Sequence, residues 1–172
     1  KNTDGKYFTP AEYEELVKAN QTDKHQTLVF LYVDDPVAKL AALEAAKGKG
    51  YDVLEMNGPL DNHYVNWYES KHKEQRFVRV DSDIVDKLIQ KEDSLKMSLS
   101  EAQQEILRPV FEAQMPHDEK IHYNIAFEPM AAGEAPVVIT QNEFMRRMKE
   151  MAAMSGGGMS QFYGQMPDNF TI

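Results

Sequence analysis

Four aspartates stand where α/β folds build their sites. Asp34 and Asp35 follow the β-rich apolar run QTLVFLYV, and Asp81 and Asp83 follow RFVRV. In open α/β sheets, ligands bind at the carboxyl ends of the strands. If the two strands are neighbours, the four carboxylates converge, and a hard cation such as Mg²⁺ is what clustered carboxylate oxygens hold. The chemistry would then be that of a Mg²⁺-dependent α/β phosphoacceptor or hydrolase-like domain. A plainer role competes: Asp35 caps a helix, and Asp81 and Asp83 cap the short helix after them. No serine, lysine or histidine is placed by motif to complete a catalytic set.

The other chemistry-bearing residues exclude more than they offer. The chain has no cysteine, which removes disulfides, thiolate catalysis and zinc–thiolate sites and fits a reducing cytoplasm. His117 and His122 lie beside one strand, while His63 and His72 match one helix face poorly. Neither pair has metal-ligand spacing with a third partner. Gly48-Lys49-Gly50 precedes a strand instead of a helix, and GGGM lacks the Lys-Ser/Thr that a P-loop uses on phosphate. A net charge of −9 argues against a nucleic-acid partner, because phosphate binding needs a basic surface. The longest apolar run, LVFLYV, is too short to span a membrane, so no membrane partner is expected. KNTDGKYF has no apolar core of a secretory signal, and a start without Met reads as an excised piece.

Methionine is the residue used in excess. There are ten, and Met145, Met148, Met151 and Met154 fall in one stretch, TQNEFMRRMKEMAAMSGGG. Thr140 and Glu143 have the spacing of a capping box. In the helix that follows, Phe144, Met148 and Met151 share a narrow arc, widened by Met145, Ala152 and Met154. Arg146, Lys149 and Glu150 take the opposite side, and Gly156, Gly157 and Gly158 end the helix. An unbranched, polarizable Met face can mould itself to many apolar partners. The same stripe would serve equally as core, whereas the glycine run favours a docking helix free to move.

The elements that must place these residues read as two parts. Thr9, Pro10 and Glu12 open a helix to about residue 20. Strands follow at 26–33, 51–56 and 76–80. Between them lie a helix opened by Asp35 and Pro36 and ended at Gly48, and a helix over 61–73. A short helix near 84–90 closes the part. This alternation predicts a parallel βαβαβ sheet in a small three-layer α/β/α unit. In the second helix of that sheet, Tyr64, Trp67, Tyr68 and Lys71 share the face that packs on the strands, while Asn62, His63 and Asn66 point elsewhere. The polar stretch QKEDSLK at 90–96 marks a boundary. Ser98 and Glu101 then cap a helix in which Pro109 predicts a kink or break. Strand-like runs at 121–128 and 136–140 flank a loop holding Ala131, Ala132 and Gly133. The Met-rich helix comes next, then a loop, then a strand beginning at Phe170.

The runs YFTPAEYEELVK, TLVFLYVDD, GYDVLEMNGPLD and RFVRVDSD resemble the end of the middle segment of bacterial Hsp90 chaperones. PVVITQNEFMRRMKEMAA resembles the start of their C-terminal domain, and the likeness covers essentially the whole chain in order. The resemblance implies an α/β plus α+β fragment. Residues 1–92 would be the small α/β/α subdomain of the middle domain, and 93–172 a truncated C-terminal domain. It further implies a cytoplasmic stress-response chaperone that binds partly folded client proteins, through Met145, Met148, Met151 and Met154. The helix at 61–73 adds Asn62, His63, Asn66 and Trp67. The family's ATP-binding domain and its assisting arginine are absent, so the resemblance implies no enzyme and no cofactor here; ATP and Mg²⁺ belong to the full-length family. Its second protomer would be held by helices beyond Ile172.

Overall fold

A computed structural model of the chain describes residues 1–91, 96–118, 120–130, 135–155 and 158–172. The chain divides into two compact units, Lys1–Glu92 and Asp93–Ile172.

In the first unit, helix α1 (Pro10–Gln21) starts as its residues dictate. The Thr9 hydroxyl accepts from the Glu12 N–H at 3.3 Å, and the Glu12 carboxylate accepts from the Thr9 N–H at 2.8 Å. Strand β1 (Leu28–Val33) is apolar at all six positions and buried at all six, which suits it to the centre of a sheet covered on both faces. Strands β2 (Val53–Glu55) and β3 (Gln75–Arg79) pair with it on either side, both parallel, in the order β2-β1-β3. Side chains of a strand alternate between faces. Val29, Leu31 and Val33 therefore pack with Leu43 and Ala46 of α2 (Leu40–Gly48) and with Leu88 of the short α4 (Val85–Leu88). Leu28, Phe30 and Tyr32 pack with Tyr13 and Val17 of α1 and with Val65 and Tyr68 of α3 (Asp61–Lys71). The result is the three-layer α/β/α arrangement that the alternation of helices and strands predicts. Each fully buried aliphatic side chain contributes about 1.5–3 kcal/mol.

Two local features differ from the sequence expectation. The helix expected at Pro36 begins at Leu40. Asp35 Oδ1 accepts from the N–H groups of Val37 and Ala38, at 3.0 and 2.9 Å, so it caps a turn. Lys39 reaches back from that turn to Asp34, and regular helix starts only beyond it. The other feature is at the start of the chain, whose first residues lie antiparallel along β2. The Thr3 N–H donates to Val53 O and the Glu55 N–H to Lys1 O, each at 2.9 Å.

The second unit is α+β. Helix α5 (Glu101–Glu112) precedes β4 (Ile121–Asn124), β5 (Thr140–Gln141), α6 (Glu143–Ser155), α7 (Gly158–Gln165) and β6 (Asp168–Thr171). The strands form a second sheet in the order β4-β6-β5, parallel on one side of β6 and antiparallel on the other. The cap of α5 is Ser100, paired with Gln103, and not Ser98. Pro109 does not break the helix. It sits in the last turn, three residues before the end, where the one bond it forfeits is to the exposed Glu105. The run at 136–140 is a strand only from Thr140, and the one at 121–128 only to Asn124.

Thr140 forms no capping box. It is drawn into β5 opposite Thr171, and Asn142 caps α6 instead, its Oδ1 accepting from the Met145 N–H at 3.1 Å. The expected loop after the glycines is helix α7, packed on α6. Lys149 of α6 donates to Met166 O at 2.6 Å, just past the C-terminal end of α7, where a cation is favoured. Gly156, Gly157, Ala131, Ala132 and Gly133 lie outside the described residues, as do residues 92–95 of the expected boundary. Among the described residues, no helix is long and apolar enough to cross a membrane.

Candidate functional site

The acidic strand ends do converge, because β1 and β3 are neighbours. They converge on cations that the chain itself supplies. Arg79, the last residue of β3, is 5% exposed. Its Nη1 donates to Asp34 Oδ2 at 2.9 Å, while Nε and Nη2 fork onto the two oxygens of Asp81 at 2.5 and 3.0 Å. Lys39 pairs with Asp34 as well, and lies 3.9 Å from Asp81. Burial works to raise the Asp34 carboxyl, but the hydrogen bond from Lys39 and the charge of Arg79 outweigh it and hold the group below its usual range. Asp35 is turned to its own turn, and Asp83 accepts from the Ile84 N–H at 2.8 Å. The four aspartates weighed as an alternative Mg²⁺ site are thus committed to a guanidinium, an ammonium and backbone N–H groups. Among the described residues, no group of three or more His, Cys, Asp or Glu side chains is arranged to hold a metal ion. Arg79 was missed from sequence. Its signal was a cation two residues before Asp81, in phase with the buried Phe77 on the same strand.

Helix α3 turns Val65 and Tyr68 to the sheet. The Tyr68 hydroxyl donates to Gln75 Oε1 at 2.9 Å, and His72 stacks on its ring at 4.1 Å between centroids. Trp67 lies off that face, contrary to the sequence expectation, whereas Tyr64 is partly exposed yet meets the Phe77 ring of β3 edge-on at 6.4 Å. Trp67 is 56% exposed, and with Tyr64 and Leu60 it forms an exposed stripe at spacings of four and three residues. His63 is exposed beside the stripe, and Asn62 and Asn66 are half-buried. Leu60 was missed because it precedes the helix.

Helix α6 carries the methionines, and the structure divides them. Met145, Met148 and Met151 are half-buried, whereas Met154 is 47% exposed and Phe144 more so. Arg146 was expected on a solvated side and is instead buried, together with Arg147. Glu143 Oε1 accepts from Arg146 Nη2 at 2.7 Å and from Arg147 Nε at 2.6 Å, and Glu150 accepts from Arg146 Nη1 at 2.6 Å. These partners one turn away neutralise the guanidinium groups, which is what allows charge to be buried. Lys149 also holds Asp168 at 2.7 Å, tying α6 to the start of β6. What α6 leaves outside is apolar: Phe144 and Met154, with Phe162 exposed on α7.

No protein-family model matches the chain. Individual proteins do. A chaperone protein htpG of Bacteroides fragilis is 47% identical over 171 residues, 99% of this chain and 25% of that protein. The chaperone protein HtpG of Bacteroides thetaiotaomicron is 44% identical over the same share of each. That of Porphyromonas gingivalis is 42% identical over 169 residues, 98% of this chain and 24% of the relative. The chain thus spans about a quarter of the length of the curated relatives it matches.

Proposed function

Since the chain belongs to the family of HtpG chaperones, the bacterial Hsp90 type, we propose that it holds partly folded client proteins and takes no part in catalysis itself. The observation that carries this reading is identity of 42–47% along 98–99% of the chain to proteins named as chaperones. In this reading residues 1–92 are the small subdomain of the family's middle domain, and 93–172 are part of its C-terminal domain. ATP and Mg²⁺ serve the rest of the full-length protein, which works in the cytoplasm as a homodimer with a second protomer.

Each unit offers its own client surface. On the first it is the outer side of α3, with Asn62, His63, Asn66 and Trp67. On the second it is the methionines of α6, Met145, Met148, Met151 and Met154. The physical support is exposure of large apolar groups, Trp67 and Met154 above all, beside adaptable neighbours. Contacts of this kind are weak singly and tolerant of sequence, as a chaperone of many clients requires.

A methionine-methyl NMR titration with a permanently unfolded polypeptide tests the reading. The signals of Met145, Met148, Met151 and Met154 should shift together on addition. Trp67→Ser with Met154→Ser should weaken binding several-fold while leaving the melting temperature unchanged. Invariant methionine signals would remove the α6 surface from the proposal, and binding that survives the double substitution would remove both.

A further inference from the structure

The first unit contains a cleft that the client surfaces above do not use. It has a volume of about 300 Å³ and opens between the residues just before α1, the end of β2 and the first turn of α3. Aromatic rings make its walls, Phe8 and Tyr64 among them, and Leu54 and Met56 line it as well. Two carboxylates enter the same space, Glu55 and Asp61. Glu55 is paired with Lys1 at 3.0 Å. Asp61 accepts from the Gly58 N–H at 2.8 Å through Oδ2, and a carboxylate has about four lone-pair sites, so acceptor capacity remains.

That combination selects its occupant. A purely apolar side chain would strip water from Asp61 without replacing it, and an unpaired buried carboxylate is costly. Lys1 also lines the cleft but its ammonium is paired with Glu55, so an anion would meet the Asp61 carboxylate with no counter-charge left to offset it. A cation finds both an opposite charge and aromatic faces, which attract cations through their quadrupole. The size limits the choice further: about 300 Å³ lies at the lower end of ligand pockets, enough for one large side chain. Arginine fits each condition. Its planar guanidinium stacks on rings and forks onto carboxylates, and its methylene stem can lie along Leu54 and Met56.

We propose that this cleft binds the arginine side chain of an extended polypeptide, with the guanidinium lying on the Tyr64 ring and bonded to the Asp61 carboxylate. The site stands on its own geometry and does not depend on the chaperone reading.

The chain offers a built-in reporter. Trp67 is the sole tryptophan, and its ring lies 6.0 Å from that of Tyr64. Titrating the whole chain with acetyl-Ala-Arg-Ala-amide should change Trp67 emission saturably, with matching heat in calorimetry. The same peptide with citrulline keeps the shape but loses the charge, and should bind at least tenfold more weakly, as loss of a charge-assisted contact implies. Asp61→Asn, which preserves an acceptor for Gly58, should weaken the arginine peptide by a similar factor. Tyr64→Leu should weaken it about two- to fivefold, the share of one exposed cation–π contact. Equal binding of the citrulline or a leucine peptide would overturn the proposal, as would Asp61→Asn without effect. So would the absence of both heat and emission change up to the solubility limit of the peptide.

Discussion

Replacing Arg79 by Met tests whether the chain's own cation is what occupies the acidic strand ends. The substitution keeps length and removes charge at a residue that is 5% exposed. Three hydrogen bonds go with it, to Asp34 at 2.9 Å and to Asp81 at 2.5 and 3.0 Å. Removing one partner of a buried ion pair costs about 3–5 kcal/mol. Here the side chains of Asp34 and Asp81 keep 35% and 24% of their surface in solvent, and Lys39 remains beside them. The lower end applies, about 3 kcal/mol. For a urea slope of about 2 kcal/mol per molar, the unfolding midpoint should fall by about 1.5 M. Trp67 lies in the first unit, so its fluorescence reports the transition in which Arg79 takes part.

The same variant leaves Asp34 and Asp81 with the Lys39 ammonium as their remaining counter-charge, and a divalent cation should compete with it for them. Mg²⁺ at tenfold its dissociation constant should return about 1.4 kcal/mol to the variant and nothing to the native chain. A loss below about 0.5 kcal/mol would reduce the network to an ordinary surface pair. Equal stabilisation of native and variant chains by Mg²⁺ would mean that the carboxylates hold a metal in spite of Arg79.

Two further outcomes follow from the same geometry and from the caps. Asp34 is held below its ordinary value of 3.8 in the folded chain, so the unfolded chain takes up the proton first. The stability this contributes is fully present above that value and is lost as pH falls through the lower folded one. Urea midpoints followed by Trp67 should therefore drop on acidification below about pH 4, and less steeply in Asp34→Asn. In the second unit, Ser100→Ala should cost about 1 kcal/mol through the lost cap, while Ser98→Ala should stay within about 0.5 kcal/mol. Helicity measured on urea titration separates the two, and equal losses would show that the box at Ser100 and Gln103 is not the start of α5.

The first unit was legible because its local signals and its tertiary needs agree. QTLVFLYV can bury both faces only inside a covered sheet, and Thr9, Pro10 and Glu12 start α1 without help from distant residues. The same reading brought Asp34 and Asp81 together only if β1 and β3 were neighbours, and the order of the sheet makes them so. What it could not supply was the contents of the space between them. Arg79 sits on a strand where alternation alone sends it inward, and a local reading takes such a cation for a surface residue. The excess of acid at both strand ends was the available clue, since clustered carboxylates require a counter-charge whether it comes from a metal or from the chain.

The second unit shows the converse, where sequence-local signals lose to partners far along the chain. Thr140 and Glu143 have the spacing of a capping box, yet Thr140 is buried in β5 against Thr171, thirty-one residues away. A strand pairing offers the Thr140 backbone ladder hydrogen bonds, and Asn142 can take over the capping duty at once. Glu143, freed from the box, becomes the shared counter-ion of Arg146 and Arg147. The glycines at 158 and 164 disfavour a helix by about 1 kcal/mol each relative to alanine, and α7 forms because α6 supplies a packed face and Lys149 binds the carbonyl just past its end. The expected solvated side for Arg146 on α6 failed for the same reason. The two arginines of that helix are neutralised within one turn and buried, and Phe144 and Met154 are left outside. A helix that buries its arginines and exposes its phenylalanine inverts the usual economy of a soluble domain. That inversion, more than the number of methionines, is the structural ground for expecting an apolar partner on this face.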